Sequence, residues 1–465
     1  PVNKGRSYLL ASVVVVVGLV LLGNRAGGDR FYSDLVRLDR VVTKITESYV
    51  EDVSSRELVD AAISGMREVL DPHTAYIEAR QFEDLKVSTE GEFGGLGIQI
   101  GIRENELTVV SPLAGTPAAR MGLQAGDRII RIDTLDTRGI TVDDAVGRLR
   151  GKPGTKVTLR IRREGVPDPL DFTITREVIK IESVPFAGML NDSVGYVKVT
   201  QFSRTTADDL RARLDSLSSA GARSLVLDLR MNPGGLLGQA VDVSDLFLDK
   251  GLTVVSTKGR VRSQNQDYKS RRDPVWRGRL AVLVSGSSAS ASEIVAGAIQ
   301  DWDRGVVIGA TTFGKGSVQT VHELDARKNA LKLTTAYYYT PAGRNINRPE
   351  NGRRAADAST AAEESGEGAE GDGAAVAPAG PADTALYRTR AGRAVRGGGG
   401  ITPDIEVADR RVSRFVLELF RKNMFFSFTV KNRAAVAAAQ PGGRITPDFT
   451  PDAALLAQFR AYVFA

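Results

Sequence analysis

The chain contains no cysteine and only two histidines, His73 and His322, among its 465 residues. The absence of cysteine excludes disulfide bonds and thiol catalysis. With two separated histidines and no carboxylates at a ligand-like spacing, the sequence also lacks the pattern of a metal cluster. With only two histidines, the chain offers few imidazoles that could serve as a catalytic base.

The composition is that of a folded protein with several domains. The length allows two or three domains, and 42% hydrophobic and 25% charged residues are typical of globular chains. The formal net charge of +6 is small for this length, and arginines are interspersed with acidic residues. We therefore interpret the charge as surface character rather than as a nucleic-acid footprint.

The N-terminal segment has the pattern of a membrane anchor. Lys4 and Arg6 precede an apolar run over residues 8–23, and Arg25 follows it. A basic flank before such a run is typical of a secretion signal or a short span, and about 17 residues is the lower limit for spanning. Because no small-residue cleavage site follows Leu22, we expect residues 1–28 to be an uncleaved anchor.

Two short motifs carry the strongest chemical signal. The first is a run of small residues, Ser288-Ala289-Ser290-Ala291-Ser292, followed by Glu293, and the second is Thr312-Phe313-Gly314-Lys315-Gly316. Small residues leave a hydroxyl unobstructed at a turn, and glycines allow a lysine to enter a tight site. Burial disfavours the ammonium form, so a buried lysine becomes a base that can take a serine proton.

These motifs resemble the signature of the carboxyl-terminal processing peptidases, also called tail-specific proteases. The resemblance places the nucleophile on Ser290, its base on Lys315 after 25 residues, and a supporting glutamine on Gln319. It also implies oxyanion-hole donors from the backbone N–H of Ala291 and of Gly234 or Gly235. Ser288 and Ser292 are the local competitors for the nucleophile, and we expect capping and spacing roles for them.

Residues 90–176 resemble a PDZ domain. A glycine-rich loop, Gly94-Gly95-Leu96-Gly97, precedes an alternating apolar run, and glycines there can aim N–H groups at a peptide carboxylate. The resemblance implies a groove between this strand and a helix near residues 142–149. The residues predicted to line it are Gly95, Leu96, Gly97, Ile98, Val146 and Leu149. Arg150, at the end of that helix, is a candidate for coupling tail capture to the protease, and a solvated helix-end cation is the alternative.

Strand and helix patterns alternate after the PDZ-like region. The near-continuous apolar runs 224–229 and 280–284 are typical of strands buried in a parallel sheet. The resemblance implies an α/β protease core like those of the crotonases and Clp-type proteases. We thus predict an α/β fold with an inserted PDZ domain and helical segments at both ends.

The predicted domains follow from these patterns. An apolar seam at Leu35, Leu38 and Val42 indicates a helix, and a second helix ends before Asp71-Pro72. Residues 350–399 are rich in Ala, Gly, Glu and Arg, which predicts a disordered insertion. The boundaries are 1–28 anchor; 29–89 helical region; 90–176 PDZ domain; 177–349 and 400–407 protease core; 350–399 insertion; and 408–465 helical extension, with one helix expected from Arg410 to Phe428.

The predicted function is a serine endopeptidase that cleaves proteins selected through their C-terminal tails, for processing or quality control in the bacterial cell envelope. No cofactor or metal is implied. The expected partners are substrates with apolar C-termini, the inner membrane, an adaptor lipoprotein and further copies bound through the N-terminal helices. The catalytic domain is expected in the periplasm or outside the cell.

Two alternatives stay open at this point. A Ser-His-Asp protease has only His73 and His322 to use, and neither lies in a recognisable context. His73 falls in a turn, and His322 falls in a predicted strand, as a surface residue. A membrane-anchored PDZ scaffold without peptidase activity predicts missing catalytic positions, and Ser290, Lys315 and Gln319 are all present.

Overall fold

The computed structural model describes residues 25–324, 329–348, 385–408, 412–438 and 450–464. It divides into two compact units. The described part of the first unit is 25–82, 319–324 and 329–335, and the remaining described residues form the second unit. The apolar run of the predicted anchor lies outside the described residues. Within the described residues, no helix has both the length and the apolar character that a membrane span needs.

The first unit begins with two helices. Helix α1 is Arg25–Ser48, α2 is Ser55–Met66, and strand β1 is Ala75–Ile77. Helix α1 runs through Gly27 and Gly28, where the boundary between the anchor and the helical region is predicted. Helix α2 ends before the predicted Asp71-Pro72 turn, where Asp71 accepts hydrogen bonds from His73 N (2.9 Å) and Thr74 Oγ1 (2.8 Å). Helix α3, Ala79–Glu90, crosses into the second unit.

The inserted domain is an antiparallel sheet with strand order β3-β4-β5-β7-β8 and β6 paired to β5. It enters and leaves through an antiparallel ribbon of β2 and β9, with Glu92 opposite Lys180. Alternate residues of β7, Val157, Leu159 and Ile161, are at most 1% exposed, which is the period of a half-buried strand. The bounds are β2 Glu92–Gly95, β3 Ile98–Arg103, β4 Glu106–Pro112, α4 Pro117–Arg120, β5 Arg128–Ile132, β6 Leu135–Asp136, α5 Val142–Leu149, β7 Lys156–Arg162, β8 Leu170–Thr175 and β9 Glu177–Lys180.

The second unit also contains a six-stranded sheet that is covered by helices. Its order is β10-β11-β12-β15-β16-β21, and every pair except β10–β11 is parallel. The α/β core with an inserted PDZ domain is therefore confirmed. The bounds in chain order are β10 Phe186–Met189, β11 Val194–Lys198, α6 Thr206–Ser219, β12 Ser224–Asp228, α7 Leu237–Asp245, β13 Thr253–Gly259, β14 Gln266–Lys269, β15 Arg279–Val284, α8 Ala291–Asp301, β16 Val306–Gly309, β17 Ser317–Glu323, β18 Ala330–Tyr339, β19 Leu386–Arg388, β20 Ala394–Arg396 and β21 Ile405–Glu406.

One boundary of the predicted protease core differs from the structure. Residues 319–324 and 329–335, which include most of β17 and the first part of β18, belong to the first unit rather than to the predicted protease core. The last part of β18 pairs antiparallel with β13 in the second unit, with Tyr339 opposite Ser256. The long parallel pairing of β12 with β15 places the carboxyl ends of both strands at one edge of the sheet, where loops carry functional groups.

The predicted disordered insertion is wrong for residues 385–399. Strands β19 and β20 form an antiparallel hairpin there, and Arg390 N donates to Asp301 O at 2.8 Å. The chain on both sides of residues 349–384 also packs into the core, because Ile346 and Ile401 are both 0% exposed. Residues 350–384 of the prediction lie outside the described part of the chain. The amino-acid composition of this segment did not predict the hairpin, because contacts with the core order it.

The C-terminal extension is helical, as α9 Arg414–Arg421, α10 Met424–Lys431, α11 Arg433–Ala438 and α12 Ala453–Phe464. The single helix expected from Arg410 to Phe428 is wrong, since Asn423 takes a left-handed conformation (φ 53°) between α9 and α10. Aromatic rings hold these helices together, with the Phe425 and Phe459 centroids 5.0 Å apart. The extension also touches the inserted domain, where Arg433 Nη2 donates to Ala125 O at 2.5 Å.

Candidate active site

The serine run follows β15 and starts α8 at the carboxyl edge of the parallel sheet. Ser290 directly precedes the helix and has φ 54° and ψ −111°, a conformation that costs energy for a residue other than glycine. Such strain persists only where the surroundings impose it, and it occurs preferentially at functional sites. The position at a helix N-terminus also favours negative charge beside Ser290.

The neighbouring serines, Ser288 and Ser292, stabilise this turn through hydrogen bonds. Ser288 and Ser292 are both 0% exposed, whereas Ser290 is half-buried. Ser288 Oγ donates to Leu229 O at 2.8 Å, and Ser292 Oγ donates to Asn232 O at 3.0 Å. Both hydroxyls thus bind the serine turn to the loop that follows β12. Of the three serines, Ser290 is the one that solvent and substrate can reach.

Glu293 connects the serine turn, residues 288–292, to the lysine loop, residues 312–316. The sequence analysis did not predict this role. Its side chain is fully buried, and Oε2 accepts from both Ser290 N (2.8 Å) and Lys315 N (2.9 Å). Oε1 accepts from Thr312 Oγ1 (2.6 Å) and Gly314 N (2.7 Å). Burial raises the pKa of Glu293, and these four hydrogen bonds oppose the rise. The signal in the sequence was Ser290-x-x-Glu293, the spacing of a helix capping box.

The lysine loop is fixed through its backbone. Tyr338, which is 1% exposed on β18, places its hydroxyl within hydrogen-bond distance of both Lys315 O and Ser290 O (3.2 Å). Gly314 has φ 86°, in the region that favours glycine, and its N–H binds Glu293. Lys315 itself is half-buried. The structure therefore brings the backbones of Ser290 and Lys315 onto the same two partners.

The loop after β12 supplies candidate oxyanion donors. A Cβ atom on Gly234 would lie 2.7 Å from Ala289 O and 2.9 Å from Ala291 N, so only glycine allows this approach to the serine turn. The Gly234 N–H is already donated to the buried Asn232 Oδ1 at 2.9 Å. Among the described residues, no atom accepts a hydrogen bond from Gly235 N–H or Ala291 N–H. Gly235 is therefore the glycine whose N–H is available for a ligand.

A buried polar cluster stiffens the end of β12 before this loop. Asp228 is 0% exposed and accepts from Tyr196 Oη at 2.6 Å and from Arg230 Nη2 at 2.8 Å. Burial acts to raise the pKa of Asp228, but hydrogen bonds from Arg230 and Tyr196 outweigh it and hold the pKa below its ordinary value. Burial and the bond to Asp228 raise the pKa of Tyr196 to about 12.

Gln319 belongs to the first unit. Its Nε2 donates to Thr334 Oγ1 at 3.1 Å, and Thr334 Oγ1 donates to Asp71 Oδ1 at 2.9 Å. Burial acts to raise the pKa of Asp71, yet bonds from Thr74, His73 N and Thr334 hold it below the ordinary value. The predicted partnership of Gln319 with Lys315 stays a prediction.

The two histidines take the positions expected from the sequence. His73 lies in the turn after α2, where its backbone N–H binds Asp71, and His322 is exposed on β17. Both belong to the first unit, like Gln319.

The predicted groove residues of the inserted domain surround one open cleft between β3 and α5. Leu96 and Leu149 are 2% and 5% exposed, so they form mainly its floor, while Ile98 and Val146 are half-buried and accessible. Arg150 also borders the cleft, pairs with Asp84 of α3 and lies 4.9 Å from the Phe93 ring centre. The lining residues are Phe93, Gly95, Leu96, Gly97, Ile98, Ile100, Val146, Leu149 and Arg150.

A parallel α/β core with a strained serine at a helix N-terminus, joined to an inserted antiparallel domain with an apolar cleft between a strand and a helix, defines a class of PDZ-bearing serine hydrolases. Comparisons with known proteins agree. Residues 193–352 match the model of Peptidase family S41, residues 108–163 that of the PDZ domain, and residues 23–81 that of the activating protease CtpB N-terminal domain.

Relatives cover most of the chain. A carboxy-terminal-processing protease of Bartonella bacilliformis is 42% identical over 73% of this chain and 78% of its own length. The carboxy-terminal processing protease CtpA of Bacillus subtilis is 37% identical over 66% of this chain and 65% of its own. A solved photosystem II D1 C-terminal processing protease is 25% identical, covers 79% of this chain and 85% of its own, and has a TM-score of 0.39.

The chain therefore belongs to the carboxy-terminal processing proteases of peptidase family S41. It is a serine-type peptidase, a hydrolase, and its PDZ domain implies binding of peptide C-termini. The family expected from the serine and lysine motifs is confirmed.

Proposed function

We propose that this protein is a serine endopeptidase in which Ser290 is the nucleophile, Lys315 the general base and Gln319 a supporting hydrogen-bond partner. The observation that carries the proposal is the buried Glu293 carboxylate, which accepts from the backbone N–H of both Ser290 and Lys315. One rigid acceptor thereby ties the nucleophile turn to the lysine loop. Such preorganisation is what an activated hydroxyl requires.

We propose a hydrolysis in two steps. Neutral Lys315 takes the proton of Ser290 Oγ as that oxygen attacks the scissile carbonyl, and the lysine then passes the proton to the leaving amine. The oxyanion is stabilised by Ala291 N–H and Gly235 N–H, which have no acceptor among the described residues, and by the N-terminus of α8. A water activated by Lys315 then hydrolyses the acyl-enzyme.

Substitution of the two reacting groups tests this assignment. Ser290→Ala, Lys315→Ala and Lys315→Arg should each abolish cleavage of a tailed reporter at neutral pH, the last because arginine stays protonated. Ser287→Ala is the matched control, since Ser287 is an exposed serine three residues away. Retention of folding is checked by circular dichroism. Turnover like that of the unmodified protein in any of the three variants contradicts the assignment.

We further propose that the PDZ cleft selects substrates by a free carboxylate and an apolar last residue. Support comes from the cleft itself, whose accessible walls include Ile98 and Val146 beside the Gly95–Gly97 loop. Amidating the tail, or ending it in Asp, should raise KM strongly. Equal kcat/KM for amidated and free-acid peptides would show that the tail is not recognised.

The cell-envelope role is a separate proposal, supported by the basic flank at Lys4 and Arg6 and the apolar run 8–23. We propose that these residues anchor the chain in the inner membrane of a bacterium, with the catalytic domain in the periplasm or outside the cell. Protease added to spheroplasts should then degrade the catalytic domain. Full protection, or recovery of the whole chain in the cytosol, rejects this topology.

We also propose that copies of this chain associate through α1. Binding of an adaptor lipoprotein stays a prediction. Apolar side chains of the predicted seam on α1 are exposed, with Leu35 45% and Leu38 38% accessible. Burial of such a seam against another helix is the usual way to remove it from water. Leu35→Lys with Leu38→Lys should lower the mass found by sedimentation equilibrium, and an unchanged mass would exclude α1 as the contact.

A further inference from the structure

The backbone of the lysine loop, residues 312–316, is bound almost group by group. On the serine side, Phe313 N donates to Ser288 O at 3.0 Å, and Glu293 accepts from Gly314 N and Lys315 N. These contacts come from the α8 region already described. They account for only one side of the loop.

The opposite side is held by two segments that flank residues 349–384. Thr312 N donates to Ile401 O at 3.2 Å, and Ile401 N donates to Thr312 Oγ1 at 2.7 Å. From the other flank, Asn347 Oδ1 accepts from Gly316 N at 3.2 Å. The lysine loop thus lies between the chain that leaves the core at residue 348 and the chain that returns through residues 399–401.

Arg348 is the last residue of the segment that leaves the core. It binds both the lysine loop and the returning segment. Its backbone N–H donates to Gly314 O at 2.9 Å. Its Nη2 donates to Thr312 O at 3.1 Å and to Gly399 O at 3.2 Å. One guanidinium therefore joins the loop to the returning segment, and both of these acceptors are carbonyl oxygens. The close approach of Gly314, where a Cβ would lie 2.9 Å from Arg348 Cβ, leaves no room for a bulkier loop residue.

We propose that Arg348 is a positioning residue that holds the lysine loop, and with it Lys315, in register with the serine turn. This inference rests on the proposed role of Lys315 as base. A guanidinium offers several donors in a rigid plane, so it can span two carbonyls that a shorter or apolar side chain leaves unbound. Without this brace the loop moves relative to Ser290, and a displacement of about 1 Å costs a catalytic centre about 100-fold in rate.

The test compares Arg348→Met, which keeps an unbranched apolar side chain without the guanidinium, with Arg348→Lys and with Arg388→Met as the matched control. Arg388 is an exposed arginine in the same flanking region, and its guanidinium donates to Gly392 O within its own hairpin. Two readouts are taken on the full-length protein. Hydrogen exchange of the 312–316 amides is measured in a Ser290→Ala background to prevent autolysis, and kcat and KM for a tailed peptide are measured separately.

In Arg348→Met, the 312–316 amides should exchange about tenfold faster, since a charge-assisted hydrogen bond is lost. The same variant should show a kcat about 10- to 100-fold lower, with KM unchanged because the PDZ cleft is untouched. Arg348→Lys should recover part of both effects, and Arg388→Met should match the unmodified protein. A purely structural role predicts a lower melting temperature with normal kcat per folded molecule.

Two results overturn the inference. If exchange of the 312–316 amides in Arg348→Met equals that in Arg388→Met, Arg348 does not brace the loop. If exchange accelerates while kcat is unchanged, Arg348 braces the loop without positioning the base. Failure of the proposed function gives a different result, because Lys315→Ala would then keep its activity whatever the exchange of the loop in Arg348→Met.

Discussion

The edge of the α/β core that carries the serine turn and the cleft of the PDZ domain differ in the kind of side chain that forms them. At the edge with the serine turn, buried polar groups such as Glu293 and Asp228 each accept several hydrogen bonds. The cleft is lined largely by apolar side chains, with Ile98 and Val146 left partly accessible. Chemistry demands atoms held in place before the substrate arrives, whereas tail recognition demands an open apolar surface. Substitutions at the two places should therefore change different kinetic constants.

The largest effect is expected for Glu293→Gln. An amide keeps the shape but turns one acceptor oxygen into a donor that faces N–H groups, so at least two of the four hydrogen bonds are lost. We expect kcat to fall about 100-fold or more, with little change in KM. Stopped assays with a tailed peptide measure both constants, and circular dichroism verifies folding.

The control for this substitution is Glu182→Gln, at an exposed glutamate of the same unit. If Glu293→Gln has normal kcat while it folds normally, the serine turn and the lysine loop do not depend on the shared carboxylate. The proposed contrast between a preorganised polar edge and an open apolar cleft would then be wrong.

A charge in the cleft should give the next largest effect. Val146→Asp places a carboxylate on the accessible wall, where it replaces an apolar contact and repels the substrate's own C-terminal carboxylate. KM for an apolar-tailed peptide should rise about 10- to 100-fold while kcat stays nearly constant. Arg148→Gln, on the exposed side of α5, should leave both constants unchanged. A fall in kcat alone would mean that the cleft acts on catalysis rather than on capture.

A smaller, pH-dependent effect is expected for Asp228→Asn. Because the pKa of Asp228 is held below its ordinary value, its ionised form stabilises the fold above the unfolded pKa of about 3.9, and this contribution is lost as the pH falls through the folded pKa. The variant should lose about 2 kcal/mol of unfolding free energy at pH 7. This deficit should shrink below pH of about 4. Urea titrations at pH 7 and below pH of about 4 measure the unfolding free energy of the variant and of the unmodified protein. An equal deficit under both conditions would contradict the argument.

The smallest effect concerns the connection between the two sites. Arg150 and Asp84 form an ion pair at the ribbon end of the PDZ domain, but their side chains are 31% and 55% exposed, so the pair is worth at most about 1 kcal/mol. Arg150→Ala should lower the ratio of kcat for tailed over untailed substrates about two- to fivefold. Adding Asp84→Ala should lower it no further, because both changes break one pair. Additive losses would show that Arg150 acts elsewhere.

Local patterns were sufficient for the elements that depend on neighbouring residues. The strands predicted at 224–229 and 280–284 and the groove helix predicted at 142–149 agree with β12, β15 and α5 within one residue. Their apolar periodicity is a property of the burial that each segment needs. The hairpin at 385–399 and the break at Asn423 were missed, because neither is encoded in periodicity and the hairpin is ordered by contacts with α8 and its flanking residues.

Residue patterns along the chain were enough to predict the family, the α/β core with its PDZ insertion, and the pairing of a serine run with a glycine-flanked lysine. Which neighbours contact these motifs depends on the folded arrangement of distant segments. It buries Ser288 and Ser292, binds Gly234 N–H to Asn232 and leaves Gly235 available. It also joins Ser290 to Lys315 through Glu293. The physical reason is distance along the chain: the bonds of Ser288 and Ser292 reach carbonyls about 60 residues away, and a hydrogen bond between remote segments leaves no local period in the sequence.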